Sequence, residues 1–270
     1  MILYDVTLRG ASMSELDDAI IIRDIEEMPP TEDRLDSKRA LHAGTRVTSI
    51  VRRTLPVKIV FVIREYDSTK RAAIMDKIAE WVGAGGEMTV STRPGKRLFV
   101  KPEKTPRLGS SLKWTEDLEL TLTAYEQPFW EDVDMVSVSA TAAWSDSHQM
   151  YYAANVIAPT GNVDKVPLTL TVVNNGDDVL THLKIVAGDT FFEFENLAVE
   201  SGLIFGFVQV EYDENDVLSI EDIMAGVSLM ANRTAESSDD LLVTPGKDNQ
   251  LHVYADMPCK VQFNVRGRWL

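Results

Sequence analysis

AYEQPFWEDV, residues 124–133, closes one run of alternating residues and opens another. Before it, LELTLTAY points Leu118, Leu120, Leu122 and Ala124 one way, the period of a half-buried strand. After it, MVSVSATAAW alternates again. Between them Pro128 removes a ladder donor and fixes φ, so a strand ends there. Phe129 and Trp130 add a large apolar area just before acids take over. The stretch reads as an aromatic plug at a domain boundary, with Tyr125, Pro128, Phe129 and Trp130 as the candidate boundary and interaction residues. It divides the 270-residue chain into 1–132 and 133–270, two halves of ordinary domain size.

Composition is that of a globular protein, 44% hydrophobic and 26% charged. Cys259 is the single cysteine, which rules out an intrachain disulfide, argues against a zinc site and suits assembly in a reducing cytoplasm. The start, MILYDVTLRG, lacks the basic region of a secretory leader. No apolar run approaches the ~20 residues of a membrane span, so no membrane partner is expected.

Net charge is −15 and uneven. Residues 133–270 carry 7 basic and 20 acidic side chains, a half that repels nucleic acid. Residues 1–132 are striped: 2 basic against 9 acidic over 1–33, 18 against 7 over 34–113, and none against 6 over 114–132. Solvated faces of mixed sign account for such stripes. A sharper reading is self-complementarity, with the basic strip of one subunit meeting the acidic strip of the next. Arg34, Lys38, Arg39, Arg46, Arg52 and Arg53 are then the candidate inter-subunit residues. They lack the interleaved aromatics of a single-strand nucleic-acid platform.

The period along the chain is mostly two. ILYDVTLRG, AIIIRDI and LPVKIVFVIREY are strands, the last with Val57, Ile59, Phe61 and Ile63 on one face. MPPTEDRLDS, with two prolines and many charges, makes 28–45 a loop or arm. The convincing helix is DSTKRAAIMDKIAEWVG: Asp67 or Ser68 caps it, Ile74, Ile78, Trp81 and Val82 form its apolar stripe, and Gly83 stops it. A hairpin follows, turning at Pro94-Gly95 as a type II turn would. The first half is therefore a small α+β sheet or split barrel with one covering helix. After residue 132 short alternating strands recur without a strong helix, the pattern of an antiparallel β-sandwich. DIMAGVSLM fits either a short helix or a strand.

Chemistry is hard to find. His42, His148, His182 and His252 are far apart in sequence and share no metal-ligand spacing. GAGG at 83–86 follows a helix, whereas a phosphate cradle precedes one, so it is a helix stop. The PGK tripeptides at 94–96 and 245–247 sit between strands as hairpin tips. Glu193 and Glu195 share one strand face as neighbouring surface carboxylates. DENDVLSIED, from residue 213, lacks the glycine and ligands of a calcium loop. No nucleophile elbow is present. The chain reads as a non-enzyme, with no catalytic, cofactor or metal residues. No cluster of exposed aromatics with polar partners, of the sort a glycan site needs, is visible in the sequence.

AYEQPFWE after a helix ending in EWV and the hairpin MTVSTRPGKRLFVK resembles the distal tail protein (Dit) family of long flexible-tailed (siphovirus) bacteriophages. So do LLVTPGKDNQLHVYAD and KVQFNVRGRWL at the far end. The resemblance implies a first half that acts as a belt domain, six copies closing into a ring, and a second half that is a galectin-like β-sandwich. It implies a structural hub at the tail tip, made in the host cytoplasm and carried in the virion. Its partners would be itself as a homohexamer, the tail tube protein and the tip or baseplate hub protein. DNA would pass through the channel without specific binding. Galectin-like names a fold and does not supply sugar binding. The alternative reading is a monomeric carbohydrate-binding β-sandwich module for host-surface adhesion.

Overall fold

The computed structural model describes residues 4–38, 45–104, 117–200, 207–213, 217–222 and 225–270. It is an α+β, mostly β chain with one α-helix among the described residues. Two compact units emerge: Met1–Val133 together with Leu270, and Asp134–Trp269.

The first unit contains β1 (Val6–Leu8), β2 (Ala11–Ser12), β3 (Ile20–Glu27), β4 (Glu32–Lys38), β5 (Thr45–Arg52), β6 (Leu55–Ile63), α1 (Ser68–Val82), β7 (Gly86–Val90), β8 (Lys96–Lys104), β9 (Leu118–Ala124) and β10 (Trp130–Asp132). Its sheet runs β2-β1-β7-β8-β9-β6-β3, with β10 against the first residues of β8. The pairings are antiparallel. Alternation fixes the register: Val57, Ile59 and Phe61 on β6 and Leu120 and Leu122 on β9 are fully buried.

The helix α1 begins and ends as its sequence dictates. The Asp67 carboxylate accepts from the amides of Thr69 (2.8 Å) and Lys70 (3.2 Å), satisfying donors that a helix start leaves free. Those backbone hydrogen bonds hold its carboxyl below the usual range. Ile74, Met75, Ile78, Trp81 and Val82 form the buried stripe, and the Trp81 indole donates to the carbonyl of Ala11 at 2.8 Å. At the far end Arg9 donates to the carbonyl of Trp81 at 2.7 Å, a cation where the helix dipole is negative. GAGG is indeed a stop. Gly85 takes φ +86, and a Cβ there would lie 2.0 Å from the carbonyl oxygen of Val100 on β8.

Within the loop or arm expected at 28–45, residues 32–38 and 45 are strand instead, and 39–44 fall outside the described residues: β4 pairs with β5, from Glu32↔Arg52 to Lys38↔Thr45. The two prolines interrupt the ladder without ending it. Thr31 donates to the carbonyl of Thr54 (2.7 Å) and Arg53 to the carbonyl of Thr31 (2.8 Å), so the β3–β6 ladder runs on into β4–β5. Pro29 and Pro30 lack the donors that a continuous ladder needs. Among the described strands β4 and β5 pair only with each other.

The second unit contains β11 (Val136–Thr141), β12 (Ala143–Ser145), β13 (Met150–Ile157), β14 (Val166–Asn174), β15 (Leu183–Ala187), β16 (Thr190–Phe194), β17 (Phe207–Tyr212), β18 (Leu218–Asp222), β19 (Val227–Ser228), β20 (Leu242–Val243), β21 (Asn249–Ala255), β22 (Cys259–Val265) and β23 (Arg268–Trp269). One sheet runs β11-β22-β14-β17-β18-β19, with β20 on β14; the other runs β12-β13-β21-β15-β16. Alternate residues fill the space between them: Leu168, Leu170 and Val172 on β14, Val261 and Phe263 on β22, Leu251 and Val253 on β21, Ile185 on β15, Phe192 on β16. Among its described residues, DIMAGVSLM holds the end of β18, β19 and the first residue of a 3-10 turn at Met230–Asn232.

Two buried amides organise the sandwich turns. Asn174 donates to the carbonyls of Asp178 and Val199 and accepts from Gly176. Asn249 donates to the carbonyls of Ile157, Thr244 and Lys247 and accepts from Thr244, clamping the second PGK tip.

Candidate functional site

The boundary cluster is a corner in the first unit's pairing. Thr123 on β9 faces Lys101 on β8, and Glu131 on β10 faces Arg97. Eight residues advance on one side against four on the other, and Tyr125–Phe129 make up the excursion. Pro128 is buried, Phe129 half-buried and Tyr125 exposed. Trp130 is 1% exposed. The Arg93 guanidinium carbon sits 5.2 Å from the Trp130 ring centroid, within cation–π range. Glu27 holds Arg93 in an ion pair and accepts from Thr92 at 2.7 Å. The amide of Val133 donates to the carbonyl of Gly95 at 2.9 Å, returning the chain to the hairpin tip. Gly95 has φ +75, as the second central residue of a type II turn requires.

The candidate basic residues gather on the β4–β5 ribbon. Arg34 and Lys38 lie on β4, Arg46 and Arg52 on β5, and Arg53 directly after it. Arg39, like His42, falls outside the described residues. Opposite charges of the remaining stripes also pair inside the chain, in part because strands from oppositely charged stripes are sheet neighbours. Lys58 pairs with Glu26 (3.2 Å) and Glu119 (2.9 Å), Lys77 with Asp17 (2.9 Å) and Arg97 with Glu131 (3.2 Å). Lys96 also pairs with Asp132, and Lys101 with Glu126. Glu119 and Glu26 raise the Lys58 pKa. Hydrogen bonds from Lys77 and the Ala19 amide lower that of Asp17.

The sandwich holds a group that sequence spacing hid. On the outward face of its smaller sheet, Tyr152, Tyr254, Lys184 and Glu193 stand in register across four strands. The buried row beside them is Ala153, Val253, Ile185 and Phe192. The Tyr152 hydroxyl and His252 Nδ1 share a hydrogen bond of 2.8 Å. His148, from the turn between β12 and β13, brings its ring to 4.3 Å from Tyr152 and 5.5 Å from Tyr254. Burial, then the Tyr254 charge, raises the Tyr152 pKa. Glu193 is not simply a surface carboxylate beside Glu195: it bonds Lys184 Nζ (2.9 Å) and His182 Nε2 (3.1 Å). Burial pulls its pKa up, and the bonds from Lys184 and His182 outweigh that, so the net direction is down. Three of the four histidines thus meet on one face. Among the described residues no His, Cys, Asp and Glu group is arranged to hold a metal. Cys259 is buried, and burial followed by the Asp256 charge pushes its thiol up to about 12.

No family model and no curated protein matches the sequence. The fold, however, is that of phage tail hub proteins of the Dit type, and the likeness spans both units. The Dit protein of phage SPP1, described as a paradigm of the hub adsorption apparatus in phages infecting Gram-positive hosts, superposes with a TM-score of 0.69 at 12% identity, over 98% of this chain and 99% of that one. A chain of the phage P2 baseplate, in its activated conformation with calcium, gives 0.51 at 8% identity over 99% and 98%. Its strontium counterpart gives 0.50 at 8% over 97% and 97%.

Proposed function

We propose that this protein is an architectural hub of a phage tail tip, a distal tail protein that acts by docking and catalyses no reaction. The first unit serves as a belt, six copies of which close into a ring joining the tail tube to the tip or baseplate protein, with DNA crossing the channel unbound. The observation that carries the reading is the end-to-end likeness to the SPP1 hub, which accounts for both units together. The β4–β5 ribbon supports it. A lone two-stranded ribbon is marginal in water, and this one, with seven residues in β4 and eight in β5, extends about 23 Å past the last strand pairing of its own sheet. A head-to-tail ring needs such a heterologous contact. The ribbon cations, set against a chain of net charge −15, would choose register and partner.

Mass photometry and negative-stain images of the purified protein test this. Rings of six times 30.1 kDa are expected. Charge reversal at Arg34, Lys38, Arg46 and Arg52 should yield folded monomers. Virions built without this protein that still carried normal, infectious tails would overturn the reading, whatever the isolated protein does.

A further inference from the structure

We propose that the outward face of the β12-β13-β21-β15-β16 sheet is a binding site for a short, neutral carbohydrate, with Tyr152, Tyr254, His148 and His252 as its floor and Lys184 and Glu193 as its polar end. The solvated face of a sandwich sheet ordinarily alternates toward charged and polar residues. Here the central rows carry aromatic rings instead. Tyr152 and Tyr254 stand 5.1 Å apart, with His252 6.0 Å and His148 4.3 Å from Tyr152. Rings of this kind offer an apolar surface with a polar tip, the pairing that a sugar presents in reverse through its C–H faces and hydroxyls. Hydrogen-bonding capacity is left over. Only the Tyr152 hydroxyl and His252 Nδ1 are engaged with each other. The Tyr254 hydroxyl, His252 Nε2 and the His148 ring nitrogens have no hydrogen-bond partner among the described residues.

Size and charge select the ligand. Four strands span about 14 Å and two outward rows about 7–10 Å, a footprint of roughly 100–150 Å². A stable protein interface takes about 800 Å² per partner, whereas two or three sugar rings fill this patch. Lys184 and Glu193 offset each other at 2.9 Å, so this pair adds no net charge to the patch within a half-chain of 7 basic and 20 acidic residues. An anionic polymer would meet repulsion all around it; a neutral glycan would not.

The probe is a panel of neutral oligosaccharides of three to five hexose or N-acetylhexosamine units, titrated into the full chain by saturation-transfer NMR and calorimetry. At least one should bind. Tyr254→Ala and His252→Ala should each weaken it about tenfold or more. Tyr254→Phe, which keeps the ring, should weaken it less, and Lys260→Ala on the opposite sheet should leave it unchanged. Near-ultraviolet circular dichroism confirms that each variant is folded. Silence across the panel at about 10 mM, a preference for anionic glycans, or affinity indifferent to both alanine variants would overturn the proposal. So would protection of this face by another tail protein in hydrogen exchange. The test is independent of assembly: a glycan-binding monomer would sink the ring and leave this site standing.

Discussion

The two units handle polar groups in opposite ways. In the first, opposite charges pair at the surface: Lys58 between Glu26 and Glu119 on the neighbouring strands, and Lys77 of α1 on Asp17. In the second, acid is in large excess and the organising polar groups are inside, Asn174 at 0% and Asn249 at 7% exposure. Surface pairs contribute little to stability and more to register and partner choice. A buried amide with every bond made is costly to remove, because its partners stay behind unsatisfied. The first unit should therefore tolerate loss of a charge and fail at its apolar corner, whereas the second should fail at single amides.

The largest expected effect tests the corner. Trp130→Ala should cost about 3–5 kcal/mol, the usual range for a fully buried large aromatic, read as a lowered urea midpoint in a folded, monodisperse sample. An unmoved midpoint would mean that the Arg93–Trp130 contact and the packing beneath it hold nothing together. Asn249→Ala should come next, at about 2–3 kcal/mol, since it strands the carbonyls of Ile157, Thr244 and Lys247 and the Thr244 amide. A cost as small as that of a surface substitution would erase the contrast between the units.

How much of this was legible beforehand follows the same divide between local and non-local causes. The helix α1 was readable because its cap, stripe and stop lie within one short window, Asp67 to Gly83. The Pro94-Gly95 turn and the alternating core of β6 and β9 were readable for the same reason. The β4–β5 ribbon was not: Pro29 and Pro30 are breakers locally, and only the pairing of Thr31 with Thr54 shows the ladder resuming beyond them. Charge stripes separated in sequence suggested a contact between subunits, although the sheet order β8-β9-β6-β3 makes many of them neighbours in one chain. The tyrosine–histidine face was invisible because Tyr152 and His252 lie 100 residues apart, and no spacing rule joins two strands that meet only through β13–β21 pairing.

Smaller effects sharpen the comparison through pH. Glu193 ionises more readily in the folded protein than its ordinary 4.5. A depressed carboxyl contributes stability that is present above its unfolded value and lost as pH falls through its folded one. Glu193→Gln should therefore lower stability slightly at neutral pH and flatten the acid limb, the difference from the parent closing as pH falls below about 4.5. An acid limb as steep as before would assign the loss to other carboxylates. Cys259, with its thiol pushed up to about 12, should not react with a disulfide reagent at pH 8 until the sandwich unfolds.

The smallest effect is the most diagnostic for assembly. Lys58 has a raised pKa through Glu119 and Glu26, so its contribution is fully present below the unfolded value of 10.5 and is lost as pH rises through the folded one. At neutral pH it is a solvent-screened pair. Lys58→Met leaves Glu26 and Glu119 facing each other across β6, yet both remain open to water and salt. The melting temperature of a monomeric sample should not move measurably in 0.5 M salt, and should fall slightly at low salt. If the same substitution instead dissolved rings while leaving monomers intact, that surface would be covered in the assembly, because desolvation turns a negligible exposed pair into a costly broken one.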